Sequence, residues 1–136
     1  MIEYSSSKPT LVGYRRLYES TGWTSSIAIT DDALEKAIHG SWYWVSAYDS
    51  DLLVGVGRLV SDGALYAFVC DMIVDPLYQG QGIGTEILRR LKDKCTLHDI
   101  LRVWLFAAPG RAGFYAKSGF EIRPADAPGM QMKKTG

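Results

Sequence analysis

Val74-Asp75-Pro76-Leu77-Tyr78-Gln79-Gly80-Gln81-Gly82-Ile83-Gly84-Thr85 is the stretch that decides how this chain is read. An apolar run stops at Asp75-Pro76, glycines recur at 80, 82 and 84, and an amphipathic pattern begins at once. Ile83, Ile87, Leu88, Leu91 and Cys95 fall on one helical face, with Glu86, Arg89, Arg90, Lys92, Asp93 and Lys94 on the other. Glu86 with Arg90 and Arg89 with Asp93 are i,i+4 pairs of opposite sign. Glycine lets backbone N–H groups face outward without a side chain in the way. The helix start adds unpaired N–H donors and the positive end of the helix dipole. The segment therefore reads as an anion site suited to a pyrophosphate. A Walker A loop would need Lys-Ser/Thr after its last glycine, where this chain has Thr85-Glu86. A G-x-G-x-x-G fingerprint fails as well: residue 85 is Thr and residue 87 is Ile.

Working outward, residues 64–74 are nearly continuous in apolar side chains and read as a strand buried on both faces. Residues 101–108 form a second apolar strand, so 64–108 is expected to be a right-handed parallel β-α-β crossover. Upstream, residues 41–48 and 52–60 read as a strand pair turning at Asp49-Ser50-Asp51. Gly55 and Gly57 inside the second of these suggest a bulge or a close approach by another group. Leu11, Tyr14, Leu17 and Tyr18 mark a helix within residues 8–20, and Thr30-Asp31-Asp32 opens another that ends at Gly40. Downstream, residues 111–117 read as a short helix, and 120–122 and 129–133 as terminal strands. The pattern is mixed α/β with a mostly antiparallel central sheet and one parallel strand pair.

Composition bounds the rest. With 136 residues, 47% hydrophobic and 22% charged, the chain is expected to form a single domain over residues 1–136. Fifteen basic and fifteen acidic residues cancel, which speaks against nucleic-acid or membrane-surface partners. The balance is uneven along the chain: residues 1–75 hold ten acids and five bases, and residues 76–136 hold five acids and ten bases. That division suits an anion held by the second half and a cationic group by the first. Cys70 and Cys95 are far apart and His39 and His98 isolated, so no metal pattern exists and a reducing compartment is expected. The start MIEYSSSKPT shows no secretory pattern and no apolar run approaches about 18 residues, so the expectation is a cytoplasmic protein.

The segment 79–84 also matches the Q/R-x-x-G-x-G/A pattern of the GNAT acyl-CoA N-acyltransferases. Asp71-Met72-Ile73-Val74-Asp75-Pro76 resembles the strand that precedes that loop. Gly113-Phe114-Tyr115-Ala116-Lys117-Ser118-Gly119-Phe120 resembles the family's F-Y-x-K-x-G-F signature. The likeness is strong over residues 52–122 and weak before them. It implies a GNAT-type fold in which the parallel strand pair splays apart. It also implies acetyl-CoA (coenzyme A) as co-substrate, no metal, and direct acetyl transfer to a small-molecule or protein amine. The backbone of Met72, Ile73 and Val74 would take the pantetheine arm as an added strand. The amides of Gln79, Gly80, Gln81, Gly82, Ile83, Gly84 and Thr85 would hold the pyrophosphate. Phe114 would border the cofactor, and Lys117 with Arg89 or Arg90 would reach the 3′-phosphate. Tyr115 would protonate the leaving thiolate, and Asp71 is the first candidate base, or else a carboxylate satisfied by backbone or Arg58. The acceptor site would lie in residues 1–60, with Trp23 as its favoured wall and Trp42, Tyr43 and Trp44 as others. A homodimer is possible in such a family. The alternative function is a module that senses acyl-CoA without turnover.

Overall fold

The computed structural model describes residues 1–23 and 28–133, and divides into two compact units, Met1–Leu105 and the residues from Phe106 onward. The first unit holds a five-stranded sheet of β1 (Ile2–Ser5), β2 (Tyr43–Asp49), β3 (Leu52–Ser61), β4 (Tyr66–Val74) and β5 (Arg102–Trp104), in that spatial order. β1 to β4 pair antiparallel, and β4 with β5 is parallel, as the reading of the sequence expects. Three helices accompany the sheet: α1 (Leu11–Glu19), α2 (Asp31–Gly40) and α3 (Ile83–Leu97).

Each helix starts where its sequence allows. The Thr10 and Thr30 hydroxyls accept from the amides of Gly13 and Ala33, both at 3.1 Å, and so cap α1 and α2. α3 has no side-chain cap; Gly82 precedes it with φ +83. Ile83, Ile87, Leu88, Leu91 and Cys95 are all buried, the face the periodicity predicts. Each large aliphatic side chain buried there contributes roughly 1.5–3 kcal/mol. Alternation along β3 assigns the sheet's faces. Gly55 and Gly57 lie against Ile83, Ile87 and Leu91 of α3. Val56, between them, belongs to a core with Tyr14, Leu17, Leu34, Ile38, Trp44 and Ile73. Helices α1 and α2 thus cover one face and α3 the other.

Two expectations about the sheet are corrected. β4 is not buried on both faces: Ala67, Val69 and Ile73 are buried, while Phe68, Cys70, Asp71, Met72 and Val74 are half-buried. β5 is shorter than residues 101–108, because its ladder with β4 stops at Phe68 opposite Trp104. β4 itself runs on to Val74 through an irregularity at Asp71 and Met72, and a bulge bends the strand that carries it.

In the second unit the terminal strands are absent among the described residues. The unit holds α4 (Ala112–Ala116), then residues without strand pairing. Pro124 and Pro128 each lack an N–H for a ladder. The amide of Ala127 donates to the Pro124 carbonyl at 2.9 Å, closing a turn between the two stretches, 120–122 and 129–133, that read as strands. Gly129 lies against the Phe106 ring, where an added Cβ would fall 2.5 Å from Cε1.

Candidate active site

The glycine loop is braced from two sides. Asp75, which ends β4, accepts at its carboxylate from the Leu77 amide at 2.9 Å and from Arg16 of α1 at 2.8 Å. The same Arg16 donates to the Leu53 carbonyl. Hydrogen bonding from Arg16 and from the Leu77 amide holds the Asp75 carboxyl below the usual carboxylate range. Tyr78 donates to Asp49 of the β2–β3 turn at 2.6 Å, and the Gln79 side-chain amide donates to the Val74 carbonyl at 3.2 Å.

Gly80 and Gly82 have φ of +80 and +83, with no atom within 4 Å of where a Cβ would stand. Their need for glycine is conformational, and the space in front of them is open. The first intrahelical bond to an α3 amide is Glu86 N–H to Gly82 carbonyl at 3.1 Å, which leaves the amides of Ile83, Gly84 and Thr85 as the helix's orphan donors. Glu86 sits in this first turn, where a bare carboxylate would repel a phosphate. It is instead held by Arg89 at 2.6 Å and Arg90 at 2.7 Å, which push its pKa down to about 2. Arg89 also bridges Asp93 at 2.7 Å, and Arg90 lies 4.8 Å from the Tyr4 ring centroid. Both i,i+4 pairs read from the sequence form. They commit the two arginines that the family resemblance offered to a 3′-phosphate.

Met72, Ile73 and Val74 lie on β4 beyond the last residue paired with β5, so their β5 side carries no β5 partner. Asp71 precedes them with φ +52, a left-handed conformation costing a non-glycine residue roughly 1–2 kcal/mol. Its carboxylate accepts at one oxygen, Oδ2, from Arg58 Nε at 2.7 Å and from the Tyr14 hydroxyl at 2.5 Å. Of the two situations weighed for Asp71, pairing with Arg58 is present. The Tyr14 bond comes from 57 residues away and had no local signal. Burial and then the Asp71 charge push the Tyr14 phenol up, and the same two causes raise Tyr18. Tyr14 stands edge-on to Trp44 and Tyr18, and Tyr18 edge-on to Trp23, with centroids 5.2, 5.8 and 5.7 Å apart.

Trp23 is 41% exposed at the end of this aromatic run; Thr24, which closes its loop, lies outside the described residues. Trp44 is core, its indole N–H donating to the Ile38 carbonyl at 3.0 Å. Trp42 and Tyr43 instead flank the Lys94 ammonium at 5.1 and 4.8 Å from their centroids. Cys70 is half-buried, and burial pushes its thiol up, against a nucleophilic role. In the second unit, Tyr115 is half-buried, edge-on to Phe114 at 5.0 Å and to Phe120 at 6.1 Å, and burial raises its phenol. Lys117 is exposed.

A mixed sheet with a short parallel β4–β5 ladder, an open glycine loop and an uncapped helix start together define an α/β class with an anion-binding loop between β4 and α3. The family profile described as "Acetyltransferase (GNAT) domain" matches residues 16–126, and the chain belongs to that family. A GNAT-family acetyltransferase from Streptococcus pneumoniae superimposes with TM-score 0.85 at 33% identity, covering all of both chains. A Prochlorococcus marinus protein named "uncharacterized N-acetyltransferase ycf52-like" is 34% identical over 119 residues, covering 84% of this chain and 64% of that protein. "GCN5-related N-acetyltransferase 2, chloroplastic" of Arabidopsis thaliana is 40% identical over 78 residues, covering 57% of this chain and 30% of that protein. The chain thus spans 64% and 30% of the length of these two curated relatives. No helix among the described residues is long and apolar enough to cross a membrane.

Proposed function

We propose that the chain transfers an acetyl group from acetyl-CoA to an amine. The observation that carries this reading is the conjunction of a β4 edge without a β5 partner at Met72, Ile73 and Val74 with the open glycines 80 and 82 and the orphan amides of Ile83, Gly84 and Thr85. An extended amide chain fits the first and a pyrophosphate the second. Acetyl-CoA, when bound, supplies an activated thioester that a neutral amine attacks directly.

The protein's own groups then have separate tasks. The β4 edge at Ile73 or Val74 supplies an N–H to the developing oxyanion. Tyr115 gives its proton to the departing thiolate; a phenol raised by burial stays protonated at neutral pH. Phe114 borders the donor and Lys117 supplies charge toward its phosphates. These roles rest on the F-Y-x-K-x-G-F resemblance. Asp71 is the base, directly or through water, and has Oδ1 for this task because Arg58 and Tyr14 both bond Oδ2. Trp23 and Tyr18 form an aromatic wall for the acceptor, which the acidic first half favours as a cation before it loses its proton. The names of the relatives speak for turnover rather than for a sensing module.

The test is release of CoA thiol from acetyl-CoA over a panel of small amines and lysine peptides, with mass detection of the acetylated product. An amine-dependent rate whose kcat/KM rises with pH through neutrality is expected, since a free amine has pKa near 10. Asp71→Asn is expected to lower kcat by about 10²-fold. Tight CoA binding with no product from any amine would favour the sensing module.

A further inference from the structure

We infer that Tyr14 and Arg58 are positioning residues: through the Asp71 carboxylate they lock the bulge that shapes the open edge of β4, and with it the affinity for the acyl donor. Only the donor arm of this inference rests on the acetyl-CoA reading.

The ladder cannot hold the bulge by itself. Arg58 pairs with Cys70 and Val56 with Ile73, so Asp71 and Met72 together face the single residue Gly57. Asp71 therefore keeps φ +52 without a ladder partner of its own. An L-residue persists in such a conformation only where its surroundings over-determine it. The side chain supplies that constraint. Its Oδ2 is gripped from β3 by Arg58 at 2.7 Å and from α1 by Tyr14 at 2.5 Å, so one atom ties two elements to the bulge.

Both grips are themselves fixed. Tyr14 is 1% exposed and wedged edge-on between Trp44 and Tyr18. Arg58 also donates to Ser41 Oγ at 3.2 Å. Met72 is held on the other face, where its Sδ reaches the space above Gly57 beside Ile87 and Leu91. Asp71 and Met72 thus pin the bulge from opposite sides of the sheet, directly before the edge residues Ile73 and Val74. Releasing the Asp71 side lets residue 71 relax toward extended backbone, which shifts the side-chain parity and the outward N–H groups of everything up to Asp75.

Alanine and glycine at position 71 separate this from simple stabilisation. Both remove the carboxylate and both leave Arg58 unpaired, but only glycine holds positive φ freely. The measurements are amide exchange at Met72, Ile73 and Val74 by NMR in the ligand-free protein, and calorimetric titration with CoA. Asp71→Ala is expected to speed exchange at these amides and weaken CoA by about tenfold each, with Asp71→Gly returning both to within about threefold of wild type. Tyr14→Phe, which removes one bond and keeps the ring, should raise exchange at the same three amides and the donor KM more than it lowers kcat. Equal exchange in the alanine and glycine variants overturns the inference, as does unchanged exchange in Tyr14→Phe, a variant that keeps the fold if the alanine variant does not. Failure of the wild type to bind CoA would refute the acetyl-CoA reading, while the exchange measurements still decide the clamp.

Discussion

Gly57→Ala puts a methyl group where the structure has no room. An ideal Cβ there would stand 2.7 Å from Ile87 Cγ2, 2.8 Å from Met72 Sδ and 2.9 Å from Leu91 Cδ1. The Met72 end can swing aside, but Ile87 Cγ2 is branched at its own Cβ on a buried helix face and cannot move without α3. Overpacking of this kind costs about 1–3 kcal/mol. Loss of the glycine's unfolded-state freedom returns about 0.4–1 kcal/mol, for a net cost of about 1–2 kcal/mol. At this chain length that is a fall in Tm of about 3–7 °C. Gly55→Ala is the internal control. Its nearest neighbours would lie at 3.0 and 3.1 Å, both methyl groups of α3, so strain and entropy come close to cancelling. Urea unfolding of the three proteins measures the difference. A Gly57→Ala variant within about 0.5 kcal/mol of wild type, or a Gly55→Ala variant that loses more, would refute the argument that α3 and the bulge close over Gly57.

Tyr115→Phe keeps the ring contacts with Phe114 and Phe120 and removes only the hydroxyl, so kcat should fall by about 10²-fold with CoA affinity little changed; steady-state kinetics with a CoA titration check this. Gly82→Val forces a β-branched residue into φ +83 and crowds the α3 amides, so calorimetry should show CoA binding weakened by at least about tenfold with circular dichroism near normal. Asp75→Asn keeps an oxygen for the Leu77 amide and removes only the charge paired with the half-exposed Arg16, and should cost about 0.5–1 kcal/mol at pH 7. Because the folded carboxyl lies below its unfolded value, that stability is present above the unfolded pKa, near 4, and is lost as pH falls through the folded one. Wild-type and variant urea midpoints should therefore converge in acid.

Local chemistry made much of this fold legible. The α3 face, its two charge pairs and the Thr30 start of α2 all follow from residues a few positions apart, and the parallel return to β5 follows from the strand–helix–strand order; the Thr10 cap of α1 was not read. The glycine loop was readable because a positive φ and an uncapped helix start have sequence signatures. Non-local bonds were not. Asp71 takes its second partner from α1 and Asp75 takes Arg16 from the same helix, and no periodicity reports such pairings. Gly57 stood out in its strand, yet the reason for it needed α3 in place. The terminal segment misled because short apolar runs on either side of Pro124 and Pro128 look like strands while having no ladder to join. The roles proposed for Tyr115, Phe114 and Lys117 came from the family resemblance, and composition and spacing alone would not have suggested them.

The central claim is that the donor lies along the β4 edge and against the α3 start. An NMR titration of the wild-type chain with acetyl-CoA tests it most directly. The account predicts saturable shifts concentrated at the amides of Met72, Ile73 and Val74 and at those of residues 80–85. Saturation with shifts confined to α2 or to β1, or no shift at either predicted segment, would contradict it.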